Sequence, residues 1–311
     1  MKKPAKRQAL ISLTWLHSHI AKRLYQVLHC KYTDFCKKIP QLCVFLQKSK
    51  NIEKRNYYLM LNYNNIKKYI SAARLQRYEA ICGNNPKKSL KLYQTNLRLS
   101  QAFYPILSLF EIILRNAIND EMIRYYNDAE WLKNRMNSLV YRGVDPNTGK
   151  PIVNEYLKKK IANVIRNNRN ASNGKIVSEL SFGFWTDLFE PKYFPLVNGR
   201  PMYIFYTFPS GTNRSIISGR LKTIRDFRNR VYHNEPIIFG VDQNGNTIFY
   251  TQDCVDIYNE LKAFFGYFNL DFKAWTQRID NVLFEIQRAE FVHKEYPKTT
   301  YYSKRIALGI K

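Results

Sequence analysis

Along most of this chain, apolar residues recur three and four positions apart, the interval that puts them on one face of a helix. The clearest run is 96–126, where Leu99, Phe103, Ile106, Leu107, Phe110, Ile113, Leu114 and Ala117 build one broad apolar face. Pro105 lies inside that run and predicts a kink or a helix junction. Residues 216–232 read as another helix, which ends before Pro236 because proline disfavours helical geometry at the residue ahead of it. The stretches 254–268 and 272–288 repeat the amphipathic pattern. Leu180, Phe182, Phe184, Trp185, Leu188 and Phe189 form a dense apolar segment suited to a core, and Gly183 within it allows close helix approach. The period shortens to that of strands at Ile237-Ile238-Phe239 and Thr247-Ile248-Phe249-Tyr250. These flank Asp242-Gln243-Asn244-Gly245-Asn246, a small β-hairpin with a glycine turn. The pattern predicts a mainly α fold.

Polar stretches set the organisation. Residues 1–60 are a basic extension with two helical patterns, 11–28 and 32–47; Leu16, Ile20, Leu24, Val27 and Leu28 mark the first. Residues 61–295 form the main domain and 296–311 a basic, loosely held tail. Within the domain, Asp145-Pro146-Asn147-Thr148-Gly149 is a turn cluster. A strongly basic helix follows at 154–169, carrying Lys158, Lys159, Lys160, Arg166 and Arg169. Such a run is commonly a solvated face. With little acidic balance nearby it also reads as a phosphate-contact surface.

Charge changes the picture more than length does. The 311 residues hold 50 Lys and Arg against 24 Asp and Glu, a net charge of +26 that predicts a polyanionic partner, RNA or DNA. A membrane surface is the weaker alternative, since no segment approaches the roughly 18 continuous apolar residues of a spanning helix. Aromatic residues make up 15% of the chain; most fill core, and on a basic surface a few would stack on unpaired bases. The cysteines, Cys30, Cys36, Cys43, Cys82 and Cys254, are odd in number and irregular in spacing. With no secretory signal ahead of them, free thiols in a reducing cytoplasm are the simplest account. His17, His19, His29, Cys30, Cys36 and Cys43 crowd together, but their spacing matches no common zinc module. No Walker loop, GxGxxG, HExxH or GxSxG is present. The expectation is therefore neither metal nor cofactor.

The candidate chemistry lies at Arg228-Asn229-Arg230-Val231-Tyr232-His233-Asn234-Glu235-Pro236. Arg offers a planar fork of donors to phosphate, and His changes charge near neutral pH. Asn229 and His233 are four apart and share a helix face, which Arg225 extends one turn back. Arg228 and His233 stand roughly 140° apart on a regular helix. Fraying before Pro236 would let the imidazole swing toward Arg228, and the helix C-terminus favours its cationic form. The plainer reading is a basic surface helix whose histidine caps the end.

The motif Arg-Asn-x-x-x-His followed by Asn-Glu-Pro-Ile resembles the signature of the Abi-like (abortive infection) branch of the HEPN superfamily. Arg74-Leu75-Gln76-Arg77-Tyr78 resembles that family's opening helix, and Ser89-Leu90-Lys91-Leu92-Tyr93-Gln94-Thr95-Asn96 its next segment. Phe110-Glu111-Ile112-Ile113-Leu114-Arg115-Asn116-Ala117 is similar to its LExxLRN helix, and Glu179-Leu180-Ser181-Phe182-Gly183-Phe184-Trp185 to its ELSFGFW element. The elements occur in the family's order over about 66–290 and leave the first 60 or so residues unmatched. That segment is either an RNA-binding arm or an upstream translation artefact, since Met60 begins the family-like part.

The resemblance implies a HEPN-like helical bundle with a hairpin insertion and a helical basic N-terminal extension. It implies an RNA-binding, metal-independent endoribonuclease of bacterial anti-phage defence, toxic to its host, that works as a homodimer. His233 would act as general acid or base, Arg228 would stabilise the phosphorane, and Asn229 would hold the imidazole or a phosphate oxygen. Glu111, Arg115 and Asn119 share a face. A local Glu111–Arg115 salt bridge accounts for that spacing; alternatively, the face looks across at the Arg228 helix and Glu111 orients Arg228 or His233. The competing reading is a non-catalytic protein that holds a structured noncoding RNA. A DNA-binding regulator is weaker still, because no helix-turn-helix is apparent.

Overall fold

A computed structural model describes residues 63–295. The predicted helices at 11–28 and 32–47, the histidine–cysteine cluster and the C-terminal tail lie outside the described residues. Two compact units divide the chain after Ser71. Of the first, the structure describes α1 (Tyr63–Ile70), an eight-residue helix that buries none of its residues.

The second unit is mainly helical. Its centre is α3 (Pro86–Tyr126), 41 residues long, with α2 (Ala72–Ile81) packed against it. Asn85 starts α3 by accepting a hydrogen bond from the Lys88 amide at 3.0 Å, with Pro86 in the first turn. The helix ends at Asn127, which adopts the left-handed conformation. Pro105 lies inside the helix and does not divide it, so of the two expected outcomes the helix junction is not observed. Phe103, Ile106 and Leu107 on either side are fully buried, and this packing holds the backbone helical across the missing amide. α3 is also the one described helix long and apolar enough to cross a membrane, which corrects the expectation that no segment is. Its apolar residues are those of the core: Leu99, Phe103, Phe110, Leu114 and Ile118 have no exposed surface.

The short helix α4 (Trp131–Asn134) leads into a hairpin, β1 (Tyr141–Val144) and β2 (Pro151–Asn154), with Val144 opposite Pro151. The turn residues 145–149 announce this hairpin. Its strands are four residues long and largely exposed, too short to show a period. Next come α5 (Tyr156–Asn167), α6 (Asn173–Glu179) and α7 (Phe182–Asp187). Single-turn 3-10 segments at 194–197 and 200–204 then lead to α8 (Arg214–Tyr232). The one expected hairpin follows, β3 (Phe239–Val241) and β4 (Thr247–Phe249), closed by Gly245 at φ 82°.

The described residues end in α9 (Gln252–Tyr267), α10 (Phe272–Thr276) and α11 (Val282–Glu295). The expected single helix over 272–288 is therefore two. Asp280 makes the break: its carboxylate accepts from the Val282 amide at 3.1 Å and from the Tyr258 hydroxyl of α9. The core is one cluster in which α3 packs on α8 and α11. Phe110 is at its aromatic centre, against Phe182, Phe264 and Phe268.

Candidate functional site

The end of α8 follows from its sequence. His233 caps the helix and Asn234 turns left-handed at φ 53°. The Asn234 amide then donates to Val231 O at 3.1 Å and the Glu235 amide to Arg230 O at 2.9 Å. This is the Schellman arrangement, with asparagine where glycine is commoner. Pro236 follows, where the helix cannot continue.

Side chains from three elements pin the segment after the cap. Arg74 Nη1 of α2 donates to Asn234 O at 2.9 Å, and Arg230 of α8 donates to Pro236 O. Asn96 of α3, wholly buried, accepts from the Ile237 amide at 2.9 Å and donates to Glu235 O at 3.4 Å. The backbone carrying His233 is thus fixed from its own helix and from two others.

Arg228 lies one turn earlier, at the seam between α8 and α3. Its Nη2 donates to Glu111 Oε2 at 3.1 Å, and its Nη1 donates to Asn229 Oδ1 at 3.3 Å. The guanidinium lies 3.7 Å from the centre of the Tyr232 ring, and Tyr232 stacks on Tyr104 of α3 at 4.7 Å. Burial pushes the Tyr232 hydroxyl above its ordinary range, Arg228 opposing and Glu111 adding to the effect, so the phenol stays neutral. Two of Arg228's five N–H donors are engaged in these bonds; the Nε donor is buried and unpartnered. The side chain keeps about a quarter of its surface open.

Glu111 therefore pairs across the seam and not with Arg115. The i,i+4 spacing allowed the local bridge, but Arg115 forms no ion pair or hydrogen bond among the described residues and its Nε is buried. Asn119 is elsewhere. Its Oδ1 accepts from Trp131 Nε1 at 3.0 Å and Asn173 Nδ2 at 2.9 Å, which ties α3 to α4 and α6. Arg225 is also turned away, donating to the Asp187 carboxylate and to Thr186 Oγ1 at 2.9 Å.

His233 is exposed, and its ring makes no hydrogen bond among the described residues. The expected swing toward Arg228 has no fraying to support it. The His233 amide still donates to Asn229 O at 2.9 Å, so helical direction persists to the cap. The two side chains leave the helix roughly 140° apart, as an unbroken helix requires.

The basic helix is α5. Lys158 and Lys159 both face Glu155, at 3.4 and 3.7 Å, and Arg166 donates to Asn163 at 2.8 Å. Lys160 lies over the Tyr156 ring at 5.3 Å, and Arg169 is exposed. Among the described residues no three His, Cys, Asp or Glu side chains converge.

Sequence reasoning did not place Tyr104, Tyr232, Arg74 or Asn96 at this site. Tyr232 lies within the motif, four residues after Arg228, and that spacing was its only signal. Asn96 and Ile237 are 141 positions apart, a separation that no local pattern bridges. No protein-family model, no curated protein and no solved structure matches the chain.

Proposed function

We propose that this chain is an Abi-like HEPN protein that binds RNA and cleaves it without a metal, in the cytoplasm, as a device of bacterial anti-phage defence. The observation that carries the reading is the seam site. An arginine held by a carboxylate and an aromatic ring, with donors to spare, neighbours an exposed histidine on a pinned backbone.

His233 takes the proton from a ribose 2′-hydroxyl as O2′ attacks the adjacent phosphorus. The P–O5′ bond breaks, and the leaving oxygen takes a proton from an imidazolium. Arg228 stabilises the added negative charge of the phosphorane, a contribution that often dominates catalysis. Asn229, already bonded to Arg228, positions the fork. The products are a 2′,3′-cyclic phosphate and a 5′-hydroxyl. Because Arg228 and His233 diverge on one chain, the reading requires a homodimer in which two motifs face each other.

A specific observation favours a second reading. Glu111 offsets the charge of Arg228, which suits a protein that holds a structured noncoding RNA and leaves it intact.

Cleavage assays separate the two. His233→Ala is expected to lower the rate about 10²–10⁴-fold with fold and RNA affinity retained, the usual loss of a general acid–base group. Cleavage by the wild type should persist in EDTA. Wild-type protein that binds RNA but leaves it uncut, or a His233→Ala protein as fast as wild type, overturns the catalytic reading.

A further inference from the structure

We infer that a second site, the open cleft between β2, α5, α7 and α8, binds one ribonucleotide of a single-stranded RNA. The inference rests on the RNA reading above and names where part of the strand lies. The cleft encloses about 490 Å³, and Tyr156, Asp187, Glu190, Lys192, Lys222 and Arg225 are among its lining residues.

Its side chains divide into groups that suit the parts of a ribonucleotide. Lys192 and Lys222 are exposed and form no ion pair among the described residues. Lys160, over the Tyr156 ring, is likewise unpaired. The two lysines of the lining suit a phosphate, and Lys160 adds positive charge from beside the Tyr156 ring. Arg225 is already neutralised by Asp187, so it shapes the floor and adds little net charge.

Two carboxylates in the same cleft would repel an anion that had nothing else to offer. Asp187 is spoken for by Arg225 and faces the Tyr156 hydroxyl. The Glu190 side chain has no hydrogen-bond partner among the described residues, although it lines the cleft. A free acceptor beside free ammonium groups suits a ligand that is both an anion and a hydroxyl donor. A ribonucleotide is such a ligand, and its 2′-hydroxyl distinguishes it from DNA.

Tyr156 and Tyr193 stack at 6.2 Å with planes 23° apart; Tyr193 is buried behind, and the partly open Tyr156 ring, which Lys160 overlies at 5.3 Å, is the aromatic group a base would meet. Tyr156 and Lys160 belong to the basic helix α5. Lys222 and Arg225 precede Arg228 on α8, Arg225 by about one turn. The cleft therefore joins the basic helix to α8, the helix that also carries Arg228.

The test uses the full chain and a labelled single-stranded RNA of about 20 nucleotides, with DNA of the same sequence, at ~0.15 M salt. Lys222→Glu is compared with Lys273→Glu, an exposed lysine on α10 that changes the net charge equally. Lys222→Glu is expected to weaken RNA binding at least about tenfold more than Lys273→Glu, the lower end for one lost hydrogen bond to a charged group. Glu190→Ala should narrow the preference for RNA over DNA. Photocrosslinking of thiouridine-bearing RNA should label the peptides holding Tyr156 or Tyr193. Equal effects of the two lysine variants, with crosslinks elsewhere, overturn the cleft and leave the RNA reading standing. Wild-type protein that binds no RNA overturns both.

Discussion

Asn96 shows how much one residue does at this site. Its amide reaches the segment behind His233 from α3 and satisfies the Ile237 amide, which is otherwise buried. Removing the acceptor leaves that donor unpaired, at a cost of about 1–3 kcal/mol. Asn96→Ala should therefore lower the free energy of unfolding by that amount in urea titration, with an unchanged slope against denaturant. It should also slow any cleavage, because the backbone that aims His233 loses an anchor. A variant as stable as wild type would show that the segment is held by Arg74 and Arg230 alone. Glu111 makes a related point. Sequence spacing offered it Arg115, the resemblance offered Arg228 or His233, and only the packing of α8 on α3 decides for Arg228.

At the scale of elements, the junction of β4 with α11 carries a pH dependence. The His293 ring lies on Phe249, centroids 4.2 Å apart and planes within 7°. Its Nδ1 is buried without a partner. Burial holds its pKa below the ordinary imidazole range, and the cations Lys88 and Lys294 push the same way. The folded state therefore binds fewer protons here than the unfolded chain. Stability from this group is complete above the unfolded value of about 6.5, falls as pH drops through it, and levels off below the folded value. Thermal unfolding of His293→Phe should be less sensitive to pH between about 5 and 7 than that of wild type; parallel curves for the two would dismiss the effect. The same scale shows what the sequence makes legible. Helices α3, α8 and α9 follow the 3.6-residue period closely because each buries a continuous stripe. The break between α10 and α11 falls at Gln277-Arg278-Ile279-Asp280-Asn281, with no glycine or proline to mark it. It is made by Asp280 bonding to Tyr258 on another helix, a tertiary contact invisible to local pattern. The motif at 228–236 stands out in the sequence, whereas the turning away of Arg225 and Asn119 depends on tertiary contacts with Asp187, Trp131 and Asn173 that no local pattern shows.

For the whole molecule, charge is the governing quantity. Of the 50 Lys and Arg, 13 lie in residues 1–60, which hold only two acidic residues. The rest of the excess is spread over the domain, including the lysines of α5 and of the cleft, and over the tail, which holds Lys298, Lys304, Arg305 and Lys311 and no acidic residue. If RNA is the partner, each phosphate contact releases condensed counterions, so log affinity falls linearly with log salt, by about 0.7 per contact for a single strand. The full chain should show a steep slope between 50 and 200 mM salt, on the order of several contacts. A chain beginning at Met60 should retain the helical domain, whose described core runs from Tyr78 to Val292, and should show a shallower slope and weaker binding. Identical slopes for the two would mean that the basic extension makes no phosphate contacts and that the domain surface alone holds the RNA. A flat slope for the full chain would remove electrostatics as the basis of binding, and with it the main argument from composition for a nucleic-acid partner.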